Sequence, residues 1–524
     1  MANCKHGGDL LAEAVRAAYA DGQADYTMEP ISRQDADGAP VGKVKAGDEV
    51  MFVCRRGERE IELTDAFTDP AFAGFEREQL ADLDFSILTM YHDKYAGKLP
   101  IAFAPSKTEL PLAEVLSKAG KTQLHTAESE KFAHVTFFFN GGYNEPFPGE
   151  DDVRFQSPKG VPFDQVPELS LPQVADRVIE GLGNYDFIVT NFANGDVIGH
   201  TSNCDVKIEA AAAVSKHLDR VVNAAKEAGY VIAVTADHGN IELMLTPEGK
   251  PHVAHTTNLV PFILIDPTQD GPLPVKEGKL GDVAPTILQI MGLEQPACMT
   301  GTSLCPDADF GKDRKMLLII CDGWGFGAGD KTNPIHLANT PFWGDLCATY
   351  PPSKLQASGG YVGLQDGKTG NSEAGHINLG SGRIVMQDDV RLDTAMKDGS
   401  FEQNEVYLEQ IRACKEKGSA LHILFLLTKK SSHGSIDYPL ALLRMAKDLP
   451  EVYLHVIFDG RSTEPGSAPA LLEEFDAMVE ETGCASAQIV DGIGRGIALD
   501  RDLNWAKVEK AYRLMTEGAG RQYK

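Results

Sequence analysis

The chain alternates short apolar runs with longer amphipathic ones. "HVTFFF", "YDFIVTNF", "VIAVTADHG", "PFILID", "KMLLIICDG", "LHILFLL" and "VYLHVIFDG" are dense in β-branched, aromatic and aliphatic residues, which predicts strands. "VKIEAAAAVSKHLDRVVNAAKEAG", "VAPTILQIMG" and "DLNWAKVEKAYRLMTEG" carry apolar residues at helical spacing, and the first stops at Gly229. Strands alternating with helices predict an α/β architecture with mostly parallel sheets. Prolines break the pattern between Gly97 and Gly120, a polar linker runs from Gly301 to Lys315, and a third joint follows "SGRIVMQDD" near residue 387.

A length of 524 residues allows several domains with large cores. The net charge of −27 repels phosphate backbones and anionic lipid, which argues against nucleic-acid and membrane partners. An anionic substrate would need local cations or metals to enter such a field. No apolar run reaches the roughly 20 residues that span a bilayer, and the N-terminal stretch lacks the pattern of a signal peptide. Nine dispersed cysteines with no C-x-x-C pair fit a reducing cytoplasm.

Three predicted strands end in metal-competent residues: Asp322 after "KMLLIIC", Asp237 and His238 after "VIAVTA", and Asp196 with His200 after "YDFIVTNF". Ligands of open α/β sheets collect at carboxyl ends of strands, so these can converge. Asp196 and His200 are four apart and share a helical face, and His255 in "HVAHTTN" can join them. Mixed carboxylate and imidazole ligands suit Mn or Zn and also admit Mg. Singly, each has a plainer reading: Asp322 as a helix cap, His255 as a surface or core histidine. In "TGNSEAGHINLG", Ser372 fits either a helix cap or a hydroxyl at an anion-binding helix start, where a metal would make it a nucleophile. Arg56, Arg59, Arg461, Arg495 and Arg501 can fork onto carboxylate or phosphate oxygens or be solvated charges. Lys131 and His433 complete the candidates.

Together, "ICDGWG", "ANTPFW", "ASGGYVGLQDGKTGNSEAGHINLGSGRIV", "FDGR", "ALDRDLNW", "EKFAHVTFFFNGG", "PFPGED", "NFANGDVIGH", "TADHGN" and "AHTTNLVPFIL" resemble cofactor-independent phosphoglycerate mutase, of the alkaline-phosphatase superfamily. The order is rotated: "DGWG" follows "ADHGN" and "AHTTN" here and precedes them in the family, which implies a circular permutation. The resemblance implies two α/β domains, a dimetal alkaline-phosphatase-like domain over 106–387 and a phosphotransferase-like domain from 1–105 and 388–524. It implies two divalent metals, usually manganese, with Mg, Zn or Co as alternatives. Asp196, His200 and His255 would hold one; Asp322, Ser372, Asp237 and His238 the other. Ser372 would take the phosphoryl group, Lys131 would stabilise its charge, and Arg56, Arg59, Arg461, Arg495, Arg501 and His433 would hold a small phosphorylated carboxylate. The expected protein is a cytoplasmic monomer.

The pattern departs from the family where an Asp general base is expected after "FDGR". Here that residue is Ser462, a poor base. "TKKSSHGS" likewise replaces a "SDGGVHSH"-like run, which brings in Lys429, Lys430 and Ser435. The expected activity is a mutase acting through a metal-bound phosphoserine. The alternative is a metal-dependent phosphohydrolase, and a non-catalytic relative is disfavoured by the complete ligand set.

Overall fold

The computed structural model describes residues 5–55, 59–104, 107–269, 271–338, 340–431 and 433–524. Arg56 lies outside them. Two compact units emerge: Met1–Pro105 with Arg391–Lys524, and Ser106–Val390. Among the described residues no helix is long and apolar enough to cross a membrane, and every cysteine is unpaired.

The second unit holds an eight-stranded sheet. Its parallel centre runs Val231–Thr235, Met316–Cys321, Phe187–Phe192, Gln123–Glu128 and Glu150–Phe155. Val231–Thr235 is flanked on its other side by Val260–Ile265, which runs antiparallel to it. The Phe187–Phe192, Val231–Thr235, Val260–Ile265 and Met316–Cys321 strands are buried throughout, so they read as continuous apolar runs and not as alternating ones. The helix Cys204–Glu227 lays Ala210, Ala211, Val214, Leu218, Val221 and Val222 into the same core. Gly229, at φ +76°, follows it, as the sequence predicts.

The first unit holds the other eight-stranded sheet, with Leu421–Leu427, Val452–Phe458 and Ala487–Gly494 parallel at its centre. Alternate residues face two separate cores: Ile423, Phe425 and Leu427 enter one, Leu424 and Leu426 the other.

One predicted strand is corrected. "HVTFFF" contains a π-helical turn, His134–Phe138, and the strand of that region is Gln123–Glu128. The amide of Phe139 donates to the His134 carbonyl (3.0 Å), five residues back. No ladder position is open to the segment, because Gln123–Glu128 is already paired on both sides.

Candidate active site

Register brings the site together. Cys321 lies opposite Phe192, and Ile320 opposite Thr235, so three parallel strands end side by side. The residues that follow are Asp322, the short helix Asn194–Val197 bearing Asp196, and Asp237 with His238. The antiparallel neighbour pairs Phe262 with Thr235, so the segment leading into it, which carries His255, arrives at the same edge.

Asp196 Oδ1 lies 3.2 Å from His200 Nε2 and 2.9 Å from His255 Nε2, and the two ring nitrogens are 3.1 Å apart. The other ring nitrogens donate to carbonyls, His200 Nδ1 to Val253 (2.9 Å) and His255 Nδ1 to Gly370 (2.8 Å). With Nδ1 so held, Nε2 of each ring is turned toward Asp196, the arrangement seen in metal-ligating histidines. The hydrogen bond from His200 to Asp196 raises the His200 imidazole pKa above its ordinary value; at His255, Asp196 does so against burial. The cluster is set to hold positive charge.

The adjoining cluster is deeper. Asp237, His238 and Asp322 are fully buried and Ser372 is nearly so. His238 Nε2 lies 3.1 Å from Ser372 Oγ, 3.5 Å from Asp322 Oδ1, 3.6 Å from Asp237 Oδ2 and 3.8 Å from Asp196 Oδ1. Ser372 Oγ donates to Asp322 Oδ1 (3.3 Å). Lys131 Nζ donates to Asp196 Oδ2 (2.6 Å), Asp322 Oδ1 (2.9 Å) and Ser372 Oγ (2.7 Å). Burial opposes the Lys131 ammonium, yet Asp322, Asp196 and Asp237 hold its pKa above the usual lysine range. Burial also opposes the charges of Asp237 and Asp196, but His238 and His376 at the first, and Lys131 and the histidines at the second, hold both below the carboxylate range. Asp322 goes the other way, raised by burial and then by Asp237.

Three buried carboxylates, Asp196, Asp237 and Asp322, here face one buried ammonium, Lys131. Among the described residues Asp237 Oδ2 has no hydrogen-bond donor, since His376 Nδ1, 3.3 Å away, donates instead to the Ser372 carbonyl (2.8 Å). Unpaired buried charge is costly, and the donor set of carboxylates, imidazoles and a hydroxyl fits divalent cations. Asp196, His238 and His255 form one group of mutually close ligand atoms; Asp237, Asp322 and His376 form another.

Ser372 is not the helix cap. Asn371 caps Ser372–Ser381 by accepting from the Ala374 amide (2.8 Å), which leaves the serine hydroxyl to the cluster. Gly375 packs against Asp237: a Cβ there would stand 2.6 Å from the Asp237 carbonyl oxygen. Gly323 turns the chain after Asp322 at φ +68°, and no helix follows for Asp322 to cap.

Sequence reasoning missed His376, Asn191 and Asn240. Asn191 Nδ2 donates to Asp322 Oδ2 (2.6 Å) and to His376 Nε2 (3.0 Å); Asn240 Nδ2 donates to Asp196 Oδ1 (2.8 Å). The signal existed, since His376 lies four residues beyond Ser372 on one helix face.

In the first unit, Arg59, His433, Arg461, Ser462 and Arg495 all follow carboxyl ends of parallel strands. Arg59 and Arg501 line a cavity of about 350 Å3 with Tyr26, Asp500 and Lys507. Arg495 is buried and donates to Asp459 Oδ1 (2.5 Å). Among the described residues its Nε and Asp459 Oδ2 find no partner. His433 is buried, and Arg461 and Ser462 are exposed.

Residues 18–295 match the Metalloenzyme superfamily, and the chain belongs to it. Residues 392–524 match the BPG-independent PGAM N-terminus. The relatives it resembles are 2,3-bisphosphoglycerate-independent phosphoglycerate mutases. That of Moorella thermoacetica is 47% identical over 302 residues, 57% of this chain and 58% of the relative. That of Salinibacter ruber is 45% identical over 299 residues, 56% of each. The chain thus spans little more than half the length of the curated relatives it matches. A crystal structure of Leishmania mexicana phosphoglycerate mutase at low cobalt concentration covers 52% of each chain, at 27% identity and a TM-score of 0.39.

Proposed function

We propose that the chain is a phosphoglycerate mutase-type phosphotransferase that interconverts 3-phosphoglycerate and 2-phosphoglycerate through phospho-Ser372. The observation that carries this is Ser372 Oγ, held at a helix start 2.7 Å from the Lys131 ammonium and flanked by two sets of metal-competent side chains. The names of the relatives supply the substrate.

Asp196, His200 and His255 would hold one divalent ion, and Asp237, His238, Asp322 and Ser372 a second, manganese being the expected metal. When bound, such ions supply the positive charge that ionises a serine hydroxyl near neutral pH and offsets the charge on phosphoryl oxygens. The ionised Ser372 Oγ, its proton having passed to solvent, attacks phosphorus as the donor P–O bond breaks, and the leaving oxygen takes a proton from solvent. The second hydroxyl of the glycerate then gives up its proton to solvent and attacks phosphorus, the Ser372 Oγ–P bond breaks, and Ser372 Oγ is left ionised for the next cycle. Lys131 offsets the charge that develops at Ser372 and the phosphoryl group in both halves. Arg59, Arg461, Arg495, Arg501 and His433 are proposed to hold the substrate's carboxylate and phosphate, together with Arg56.

The motif order is proposed to be a circular permutation. In support, the match described as the family's N-terminus lies at 392–524, downstream of the superfamily match. A collinear alignment can follow a rotated order on only one side of the joint, which agrees with the half-length relatives.

The test is incubation of manganese-loaded protein with 3-phosphoglycerate, followed by phosphorus NMR. Conversion to the 2-isomer, lost in Ser372→Ala, is expected; release of inorganic phosphate with no isomer would replace the mutase reading with a hydrolase.

A further inference from the structure

Behind the ligand clusters lies a buried carboxylate that touches none of the candidate ligand atoms. Glu242 is 1% exposed and accepts hydrogen bonds from three separate loops. Its Oε2 accepts from the amides of Asn240 (2.7 Å) and Gly325 (3.0 Å). Its Oε1 accepts from Asn258 Nδ2 (2.8 Å) and from the Thr256 hydroxyl. Each donor lies next to a candidate ligand in the chain: Asn240 is two residues after His238, Gly325 three after Asp322, and Thr256 the residue after His255.

The neighbouring chain makes room for it. A Cβ on Gly239 would stand 2.5 Å from Glu242 Oε1, and one on Gly325 would stand 2.6 Å from its carboxyl carbon. Backbone bonds tie the loops in pairs, Ile241 N to the Gly323 carbonyl (2.9 Å) and Thr256 N to the Gly239 carbonyl (2.9 Å). The Glu242 side chain joins all three at once. Only an acceptor with four open lone-pair directions can do this, and an ionised carboxylate is that acceptor.

We propose that Glu242 is the positioning residue of the metal centre, fixing the Asp237–His238, Asp322 and His255 loops in ligating geometry through its four acceptor bonds. This rests on the dimetal reading above. Outer partners that orient ligands typically set metal affinity by about 10- to 100-fold.

Glu242→Gln tests it because the shape is kept. A glutamine that keeps its oxygen on the two backbone amides turns its NH2 toward the Thr256 hydroxyl, which can rotate to accept, and toward Asn258 Nδ2, which cannot, so the tie to Asn258 is lost. Manganese affinity of the full chain, measured by calorimetry and by the Mn(II) electron paramagnetic resonance spectrum, is expected to fall about 10- to 100-fold. Adding Asn258→Asp to Glu242→Gln should restore it, since the glutamine NH2 then donates to the new carboxylate at position 258 while its oxygen keeps the two backbone amides. Should Glu242→Gln not fold, Asn258→Ala, which removes one donor of four, carries the same test with a smaller loss. Unchanged manganese affinity and spectrum in the folded variants, with only a lowered metal-free melting temperature, would reduce Glu242 to a fold-stabilising residue and overturn the proposal. Absence of manganese binding by the unsubstituted chain would instead remove the dimetal reading, and the proposal with it.

Discussion

At the scale of single residues, charge balance decides most of what can be predicted. Ser462 sits exposed after Arg461, where a carboxylate base is expected from the resemblance. A positioned base is typically worth about 10²–10⁴ in rate. Ser462→Asp should therefore raise the rate of isomer formation by a sizeable part of that range, read by phosphorus NMR. No change would mean that another group already receives the acceptor's proton. A second residue-scale case lies away from the site. Burial, with Glu150 adding to it, pushes the Asp152 carboxyl up to about 7 against the pull of His125. A raised acid is favoured in its protonated form by the fold. Its stabilisation is complete below the ordinary aspartate pKa of about 4 and is lost as pH rises through about 7. Asp152→Asn cannot ionise, and its amide can still donate to Glu150. Relative to the unsubstituted chain, the variant should gain stability between pH 5 and pH 8, as read from urea midpoints; a constant difference would show that Asp152 does not titrate in that window.

At the scale of elements, the helix Ser372–Ser381 is what aims the hydroxyl. Asn371 caps it, Ser372 opens it, and Gly375 lets it lie on the Asp237 loop. Gly375→Ala would drive a methyl to within 2.6 Å of the Asp237 carbonyl oxygen. The expected cost is about 1–3 kcal/mol of stability, as for overpacked cores, with a larger proportional loss of phosphoryl transfer as Ser372 is displaced. A thermal melt and a turnover assay on one preparation separate the two. The other end of the same helix explains the one misread strand. Gly380 packs so closely on the His134–Phe138 turn that a Cβ would stand 1.9 Å from the Phe139 carbonyl oxygen. Thr136 Oγ1 bonds back to the Phe132 carbonyl (2.8 Å), closing a helical turn in a segment rich in strand-forming residues. Tertiary packing overrode local preference there, as β-propensity allows.

At the scale of the whole molecule, the metal-competent residues and the arginine candidates belong to different compact units. If the ligand set binds divalent ions, chelation acts on one unit only. Hydrogen exchange in excess chelator should speed in Val231–Thr235 and Met316–Cys321, whose ends carry the ligands, and stay unchanged in Leu421–Leu427 and Val452–Phe458. Equal acceleration in both would count against a metal centre confined to Ser106–Val390. The apolar runs predict the central strands because those strands are buried on both faces, and the polar residues just past them are legible as candidate ligands because chain direction alone puts them at one sheet edge. What the sequence by itself determined was therefore the α/β class, the strand ends and the identities of Asp196, Asp237, His238, Asp322 and Ser372 as candidates. The tertiary structure decided what periodicity does not encode: that Asn371 and not Ser372 caps the helix, that His376, Asn191 and Asn240 stand behind the carboxylates, that Arg495 is paired with Asp459, and that Glu242 joins three loops. Those facts depend on contacts between segments up to 185 residues apart, as between Asn191 and His376. They are set by register and close packing, which no local pattern in the chain records.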